Sequence, residues 1–475
     1  RADYATPGYL PYFYAQLRDL LTNYGDVFEV WFDGANGGDG YYGGACDSRT
    51  IDHKNYYNYP RIFEILDSIQ PQAVVFGDGG PGCRWVGNEK GFAGETNWAF
   101  LRKGEVYPGY PKYKELQYGH ADGNQWTPAE CDVSIRPGWF YHPEEDRKVK
   151  SPDQLVDLYF RSVGHNATLL LNFPVDRDGL IHPVDSANAV RFHKIIEREL
   201  SHNLVAGMKP KVSNERGAEF AAKALTDNSW DTYWATADGV TTADITFSFK
   251  KPQKINRIML QEYIPLGQRV KKFVVEYLDG KQWKPVSQNE ETTTIGYKRL
   301  LRFLTVETKG VRVRILDSRG PICLNNVGVF FGGDDAQLTW SPTSEAIKSL
   351  PFSLVGISEA EQTKATDRNP QTVLFTTSKE LIIDLGKNTE VSQLLYLPDQ
   401  SDAHRGLIHS YTISACDAKG NIIKTLKSDE FSNIQNNPIL QTVTFPATTT
   451  RFLKLSADRM VKDGEQIGIA ELGVK

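Results

Sequence analysis

Two carboxylates in glycine-rich surroundings are the residues best placed to do chemistry. Asp33 follows the apolar run Val27–Phe32 in VFEVWFDGANGGDGYYGG, and six glycines lie between Gly34 and Gly44. Glu89 stands further on in CRWVGNEKG, with Trp85 and Lys90 beside it. Hydrolysis of a glycosidic bond needs such a pair: one carboxylate attacks or stabilises the sugar, the other protonates the leaving oxygen. Burial by Trp85 would raise the pKa of Glu89 toward an acid's role, and a close Lys90 would lower it. Each residue also has a plainer reading. Asp-Gly pairs open turns, and Glu89 can pair with Arg84 or Lys90 at the surface. Glu95 is a fallback acid/base.

The elements that must carry these groups are legible as an alternation. Val27–Phe32 reads as a strand buried on both faces, which puts Asp33 at a strand's carboxyl end, where parallel α/β folds bind ligands. Tyr9–Tyr24 has helical apolar spacing and stops at Gly25. Tyr56–Ile69 is a second helix and Ala73–Phe76 a second buried strand. After a long irregular stretch come a helix at Ser151–Val163, a strand at Ala167–Phe173 and a helix at Val184–Leu200. Alternating strands and helices give an α/β domain with a parallel sheet.

A chain of 475 residues implies about three domains. A formal charge of −5 gives no electrostatic case for nucleic acid or an anionic membrane. No apolar stretch approaches the roughly 20 residues that span a bilayer. The five cysteines (Cys46, Cys83, Cys131, Cys323, Cys416) lack zinc or redox spacing. Arg1 is not an initiator, and no leader follows it. A piece of a longer precursor is therefore expected.

Near Lys209 the texture changes to short β-branched and aromatic runs, and a repeat appears. Ala243–Phe249 resembles Lys379–Leu385, Val270–Trp283 resembles Ile408–Asn421, Gly310–Leu316 resembles Thr450–Ser456, and Cys323–Phe330 resembles Gly468–Lys475. Two all-β modules in tandem follow.

WFDGANG at Trp31–Gly37, RWVGNEKG at Arg84–Gly91, DVSIRPGWFYH at Asp132–His142 and SVGHNATLLLNFPVDRDGLI at Ser162–Ile181 together resemble the α-L-fucosidases of glycoside hydrolase family 29. The subgroup acting on branched α-1,3/1,4-fucosides is the nearest in pattern. The resemblance implies a (β/α)8-like barrel and retention of configuration through a fucosyl-enzyme, with Asp33 as nucleophile and Glu89 as acid/base. No metal is implied for that chemistry. Arg136 and Trp139 match a segment that lines the pocket, where a Trp face suits the apolar side of fucose and Arg donates to its hydroxyls; a core Trp under a long loop is the alternative for Trp139. His142 and His165 read as structural donors, and Asp39 and Asp47 as solvated loop carboxylates. Only one helix precedes Val27, where the family has about three βα units with sugar-binding histidines. The expectation is a barrel truncated at its N-terminus, and a non-catalytic carbohydrate-binding or scaffold protein is the alternative function.

The segment Lys209–Gly333 resembles the discoidin, or factor 5/8 C-type, sandwich of family 32 carbohydrate-binding modules, through ALTDNSWDTYWAT at Ala224–Thr236 and the strands after it. The expected domains are 1–206 (partial glycosidase barrel), 207–334 (first sandwich) and 335–475 (a diverged second). Trp230 and Trp234 are expected to pack the first sandwich, with Pro370 and Leu374 standing in their place in the second. No cofactor is expected beyond a structural Ca²⁺ in these modules, with Asp227 as a ligand. Each module binds glycans or braces the barrel. The expected partner is a fucosylated oligosaccharide or glycoconjugate, and the resemblance implies a periplasmic or extracellular location.

Overall fold

The computed structural model describes residues 3–32, 40–42, 47–52, 54–334, 349–367, 369–370, 372–376, 378–401, 405–431, 434–435 and 438–475. Asp33 and Asp39 lie outside the described residues. So does the side chain of Asp47.

The N-terminal region is a curled parallel sheet, a half-barrel, with helices on one face. Its strands are β1 (Glu29–Trp31), β2 (Val74–Gly77), β3 (Cys83–Trp85), β4 (Ala129–Ser134) and β5 (Ala167–Asn172), hydrogen-bonded in that order. The β1–β2, β2–β3 and β3–β4 pairs are parallel, with Trp31 beside Phe76, Phe76 beside Cys83, and Trp85 beside Glu130. Helix α1 (Tyr9–Thr22) precedes β1, and α2 (Tyr59–Ile69) connects β1 to β2. Helix α3 (Pro152–Arg161) connects β4 to β5, and α4 (Pro183–Leu200) follows β5.

Local chemistry sets these limits. α2 starts at Tyr59 rather than Tyr56 because Asn58 takes a left-handed φ of 51° and Pro60 follows at the helix start. α3 is closed by a capping box: Gln154 N donates to Ser151 Oγ at 3.3 Å and Ser151 N to Gln154 Oε1 at 2.7 Å. Val30 and Val75 pack with Leu17, Leu21, Ile62 and Leu66, so alternate strand residues face the helices. The expected burial of Val27–Phe32 on both faces does not hold. β1 is an edge strand in the described sheet, and Phe28 is 82% exposed.

Strands β3 and β4 lie inside the stretch read as irregular. β3 is only three residues long. β4, AECDVS, is fully buried, yet every second residue is polar, so it carries no apolar run. Its Ala129 and Cys131 pack toward the helices with Ala167, while Glu130 and Asp132 point the other way.

The chain divides into two compact units. The first comprises Arg1–Val133, Lys150–Asn172 and Pro183–Leu338, and holds the half-barrel and the first sandwich. That sandwich is antiparallel: Ala243–Glu262 pairs with Arg299–Ser318 and with Cys323–Phe330, and Arg299–Ser318 also pairs with Val270–Asp279. Trp234, Phe247, Phe273 and Phe303 fill its core, each worth about 1.5–3 kcal/mol of burial or more. Trp230, expected in that core, is instead 58% exposed and lies flat against Tyr297 at 5.8 Å. A residue four positions before a buried strand residue carries no strand periodicity of its own when it sits in a loop. Two buried ion pairs fasten the barrel helices to the sandwich: Asp157 with Arg302 at 2.5 Å, and Glu199 with Arg257 at 2.9 Å.

The second unit comprises Ser134–Val149, Phe173–His182 and Thr339–Lys475. Its sandwich repeats the first in pairing: Glu380–Leu397 with Gln441–Met460, and that strand with Ile408–Cys416. The loops repeat too. Asp227 accepts from Ser229 N and Thr232 Oγ1, and Asp367 accepts from Asn369 N and Thr372 Oγ1. Leu374 pairs with Ile469 where Trp234 pairs with Leu324.

Candidate active site

The inner face of the half-barrel is unusually polar. Glu29 and Trp31 from β1, Cys83 and Trp85 from β3, Glu130 and Asp132 from β4 and Thr168 from β5 contact one another across it. Trp31 stacks on Phe76 at 4.3 Å and 6°, and its indole N–H donates to Glu130 Oε1 at 3.2 Å. Thr168 donates to the other Glu130 oxygen at 3.1 Å. Trp85 Nε1 donates to Asp132 Oδ1 at 2.9 Å. Acidic side chains inside a barrel are costly unless they are held and used, so a row of them marks a site rather than a core.

Glu89 lies four residues beyond β3, at the carboxyl ends of the parallel strands, and is partly buried. It is close enough to Asp132 for their charges to interact. Burial holds the Asp132 carboxyl well above the usual carboxylate range, and the Glu89 charge pushes it the same way. Glu130 is also raised by burial, against the pull of Thr168 and Trp31. Sequence reading missed Glu130 and Asp132 as site residues. The alternation of acidic with small apolar residues in AECDVS was the signal that could have found them.

The loop that bears Glu89 is closed at its base. Arg84 is fully buried and donates from Nε to Leu116 O at 2.9 Å, from Nη1 to Thr127 O, and from Nη2 to Asn97 Oδ1 at 2.7 Å. It is therefore no surface partner for Glu89. Within the loop, Asn88 Nδ2 donates to Phe92 O at 3.1 Å and Asn88 Oδ1 accepts from Lys90 N at 3.0 Å. Glu95 sits at the far end, where its Oε2 accepts from Glu291 N of the first sandwich at 2.7 Å. His165 is buried between Ala93 O and Glu290 Oε2, both at 3.0 Å. Burial works against a charged ring there, but both ring nitrogens face acceptors. This is the structural donor expected of it.

Arg136 and Trp139 lie in the segment Ser134–Val149 of the other unit. Arg136 is fully buried, paired with Asp146 at 3.0 Å and set 4.6 Å from the Tyr141 ring, and it donates to His142 O at 3.4 Å. Trp139 is half-buried.

Among the described residues, two groups approach metal-ligand spacing: Glu29, Cys83 and Glu130, and Glu105, Glu115 and His120. In the second, His120 Nδ1 accepts from Arg102 N at 3.0 Å, and its Nε2 lies 3.6 Å from Glu115 Oε2. In the first, burial pushes the Cys83 thiol up, and the charges of Glu130 and Glu29 push it the same way. Asp227, the expected Ca²⁺ ligand, is exposed and spends both oxygens within its own loop.

The comparisons with known proteins agree with this architecture. The α-L-fucosidase family profile matches residues 2–191, and the F5/8 type C domain profile matches residues 210–326. Putative α-L-fucosidase 1 of Oryza sativa subsp. japonica is 37% identical over 342 residues, which is 71% of this chain and 62% of that protein. The chain thus spans less than two thirds of that relative. A crystal structure of a glycoside hydrolase 29 family member from an unknown rumen bacterium is 35% identical, with TM-score 0.61, over 100% of this chain and 77% of that one. One of a putative α-L-fucosidase from Bacteroides thetaiotaomicron is 39% identical, with TM-score 0.61, over 68% of each chain.

Proposed function

Because this chain belongs to the α-L-fucosidase family, glycoside hydrolase family 29, we propose that its parent protein is a retaining exo-α-L-fucosidase. The substrate is terminal fucose α-1,3/1,4-linked in glycans. Asp33 attacks the anomeric carbon while the Glu89 carboxyl gives its proton to the departing glycosidic oxygen, so one C–O bond forms as the other breaks. Glu89, now ionised, takes a proton from water, whose oxygen displaces Asp33 and releases fucose. Arg136 and Trp139 are the proposed sugar contacts.

The observation that carries this reading is the position of Glu89 at the carboxyl end of a parallel sheet whose inner face is lined with Glu130 and Asp132. Asp33 follows β1, a strand of the same sheet, by two residues in the sequence. The engagement of Glu95 with Glu291 N supports Glu89 over Glu95 as the acid/base. We further infer a periplasmic or extracellular location, which fits a glycan substrate.

The test is turnover of an aryl α-L-fucoside by the parent protein beside Asp33→Ala and Glu89→Ala. Asp33→Ala should be inert, and azide should restore turnover as a fucosyl azide of inverted configuration. Turnover that survives Asp33→Ala, or no turnover by the unaltered protein, would refute the assignment; the latter outcome would favour a binding protein.

A further inference from the structure

The segment from Glu89 to Ala99 runs out of the half-barrel and ends against the first sandwich. The contacts there are short, polar and buried. Arg299 of the sandwich is fully buried and forks: Nη1 donates to Glu95 O at 2.8 Å, while Nη2 donates to Glu290 Oε2 at 3.1 Å and to Glu291 O at 2.9 Å. One ring nitrogen of His165 lies 3.0 Å from Glu290 Oε2 and the other 3.0 Å from Ala93 O, four residues from Glu89. Thr294 Oγ1 accepts from Asn97 N at 2.8 Å. Gln268 grips the chain twice, accepting from Ala99 N at 2.7 Å and donating to Asn97 O at 2.8 Å.

Asn97 is the hinge between the two anchorages. Its side chain accepts from Arg84 at the loop base and donates to His165 O and Asn166 O at 2.8 and 3.1 Å. The loop that carries Glu89 is therefore fixed at its start by the barrel and at its end by the sandwich. A tethered module that only captured glycans would have no use for a buried guanidinium that ties its own Glu290 and Glu291 to Glu95 O of this segment. Buried hydrogen-bonded charge of this kind specifies a single geometry, because every other arrangement strands a polar group.

We propose that the first β module is a working part of the catalytic centre, in which Glu290 and Arg299 are positioning residues that set the Glu89 carboxyl against the leaving oxygen. The inference rests on the reading of Glu89 as the acid/base. Proton donation demands placement to a fraction of an ångström, and a displacement of about 1 Å can cost on the order of 100-fold. Attack by the nucleophile requires no proton from the loop that bears Glu89.

That difference supplies the experiment. In the full-length parent protein, kcat/KM is measured for two α-L-fucosides: a fucosylated saccharide, whose leaving oxygen needs a proton, and a 2,4-dinitrophenyl fucoside, whose leaving group does not. Arg299→Lys keeps the charge but loses the fork. It should lower kcat/KM on the saccharide at least about 10-fold and on the dinitrophenyl fucoside less than about 2-fold. Glu290→Gln should show the same split. Equal losses on both substrates, or no loss on either, would overturn the proposal. Should Arg299→Lys fail to fold, Thr294→Val, which removes one acceptor from Asn97 N, is read in the same way. Glu89→Ala separates the two levels of inference. If Glu89→Ala shows no split, the acid/base assignment fails; if it does and the seam variants do not, only the positioning role fails.

Discussion

Arg84 offers a direct test of how the Glu89 loop is held. Its guanidinium is fully buried, and burial pushes it down to about 9, so it is still charged at neutral pH. Three acceptors surround it: Leu116 O, Thr127 O and Asn97 Oδ1. Arg84→Lys keeps the charge and much of the volume, but a single ammonium at the end of a flexible stem cannot reproduce a planar fork aimed at three acceptors. With one acceptor kept and two lost, at about 1.5–3 kcal/mol for each charge-assisted bond, the local cost is about 3–6 kcal/mol. All three acceptors lie within residues 97–127, so the loss should be read as local opening there. Amide hydrogen exchange is the assay, because His120 N donates to Phe100 O and Thr127 N to Ala99 O in that segment. Protection should fall by roughly 100- to 10,000-fold at about 1.4 kcal/mol per tenfold. Residues 408–460 of the second sandwich are the internal control and should not change. A fall of less than tenfold in 97–127, or an equal fall in 408–460, would refute the claim that Arg84 closes this loop.

Other expectations follow from single contacts. Asp132 has a folded-state pKa raised by burial, so its contribution is fully present below the ordinary aspartate value and is lost as pH rises through the raised one; in thermal unfolding, Asp132→Asn should therefore be relatively more stable than wild type at pH 8 than at pH 4. Trp234→Ala should cost about 3–5 kcal/mol in the first sandwich, while Trp230→Ala should stay within about 0.5 kcal/mol, as urea midpoints will show. Thr236 Oγ1 accepts from Ile322 N at 2.9 Å and Thr376 Oγ1 from Ile467 N at 3.2 Å; Thr→Val at either site should cost its own sandwich about 1–3 kcal/mol, and unequal costs would show that the two loops are not equivalent.

Where an element buries apolar side chains on one face, the sequence alone was enough. Helices α1 to α4 and strands β2 and β5 fall within a few residues of their expected places, because helical or run-like apolar spacing is a direct record of that burial. The tandem sandwiches were legible for a related reason: equivalent strands keep equivalent alternation even where Trp234 gives way to Leu374. The carriers of Glu89 and Asp132 were not legible. β3 is too short to show a period, and β4 turns acidic groups inward, so burial there depends on what the other strands supply: Trp31 and Thr168 for Glu130, Trp85 for Asp132. Nor does local pattern say that Arg84 would be sealed inside rather than paired with Glu89, or that Glu95 would be taken up by Glu291 N of a module some two hundred residues away. Those outcomes are settled by which polar groups meet once the chain is packed, since a buried donor or acceptor takes the partner that geometry brings to it, however distant in the chain.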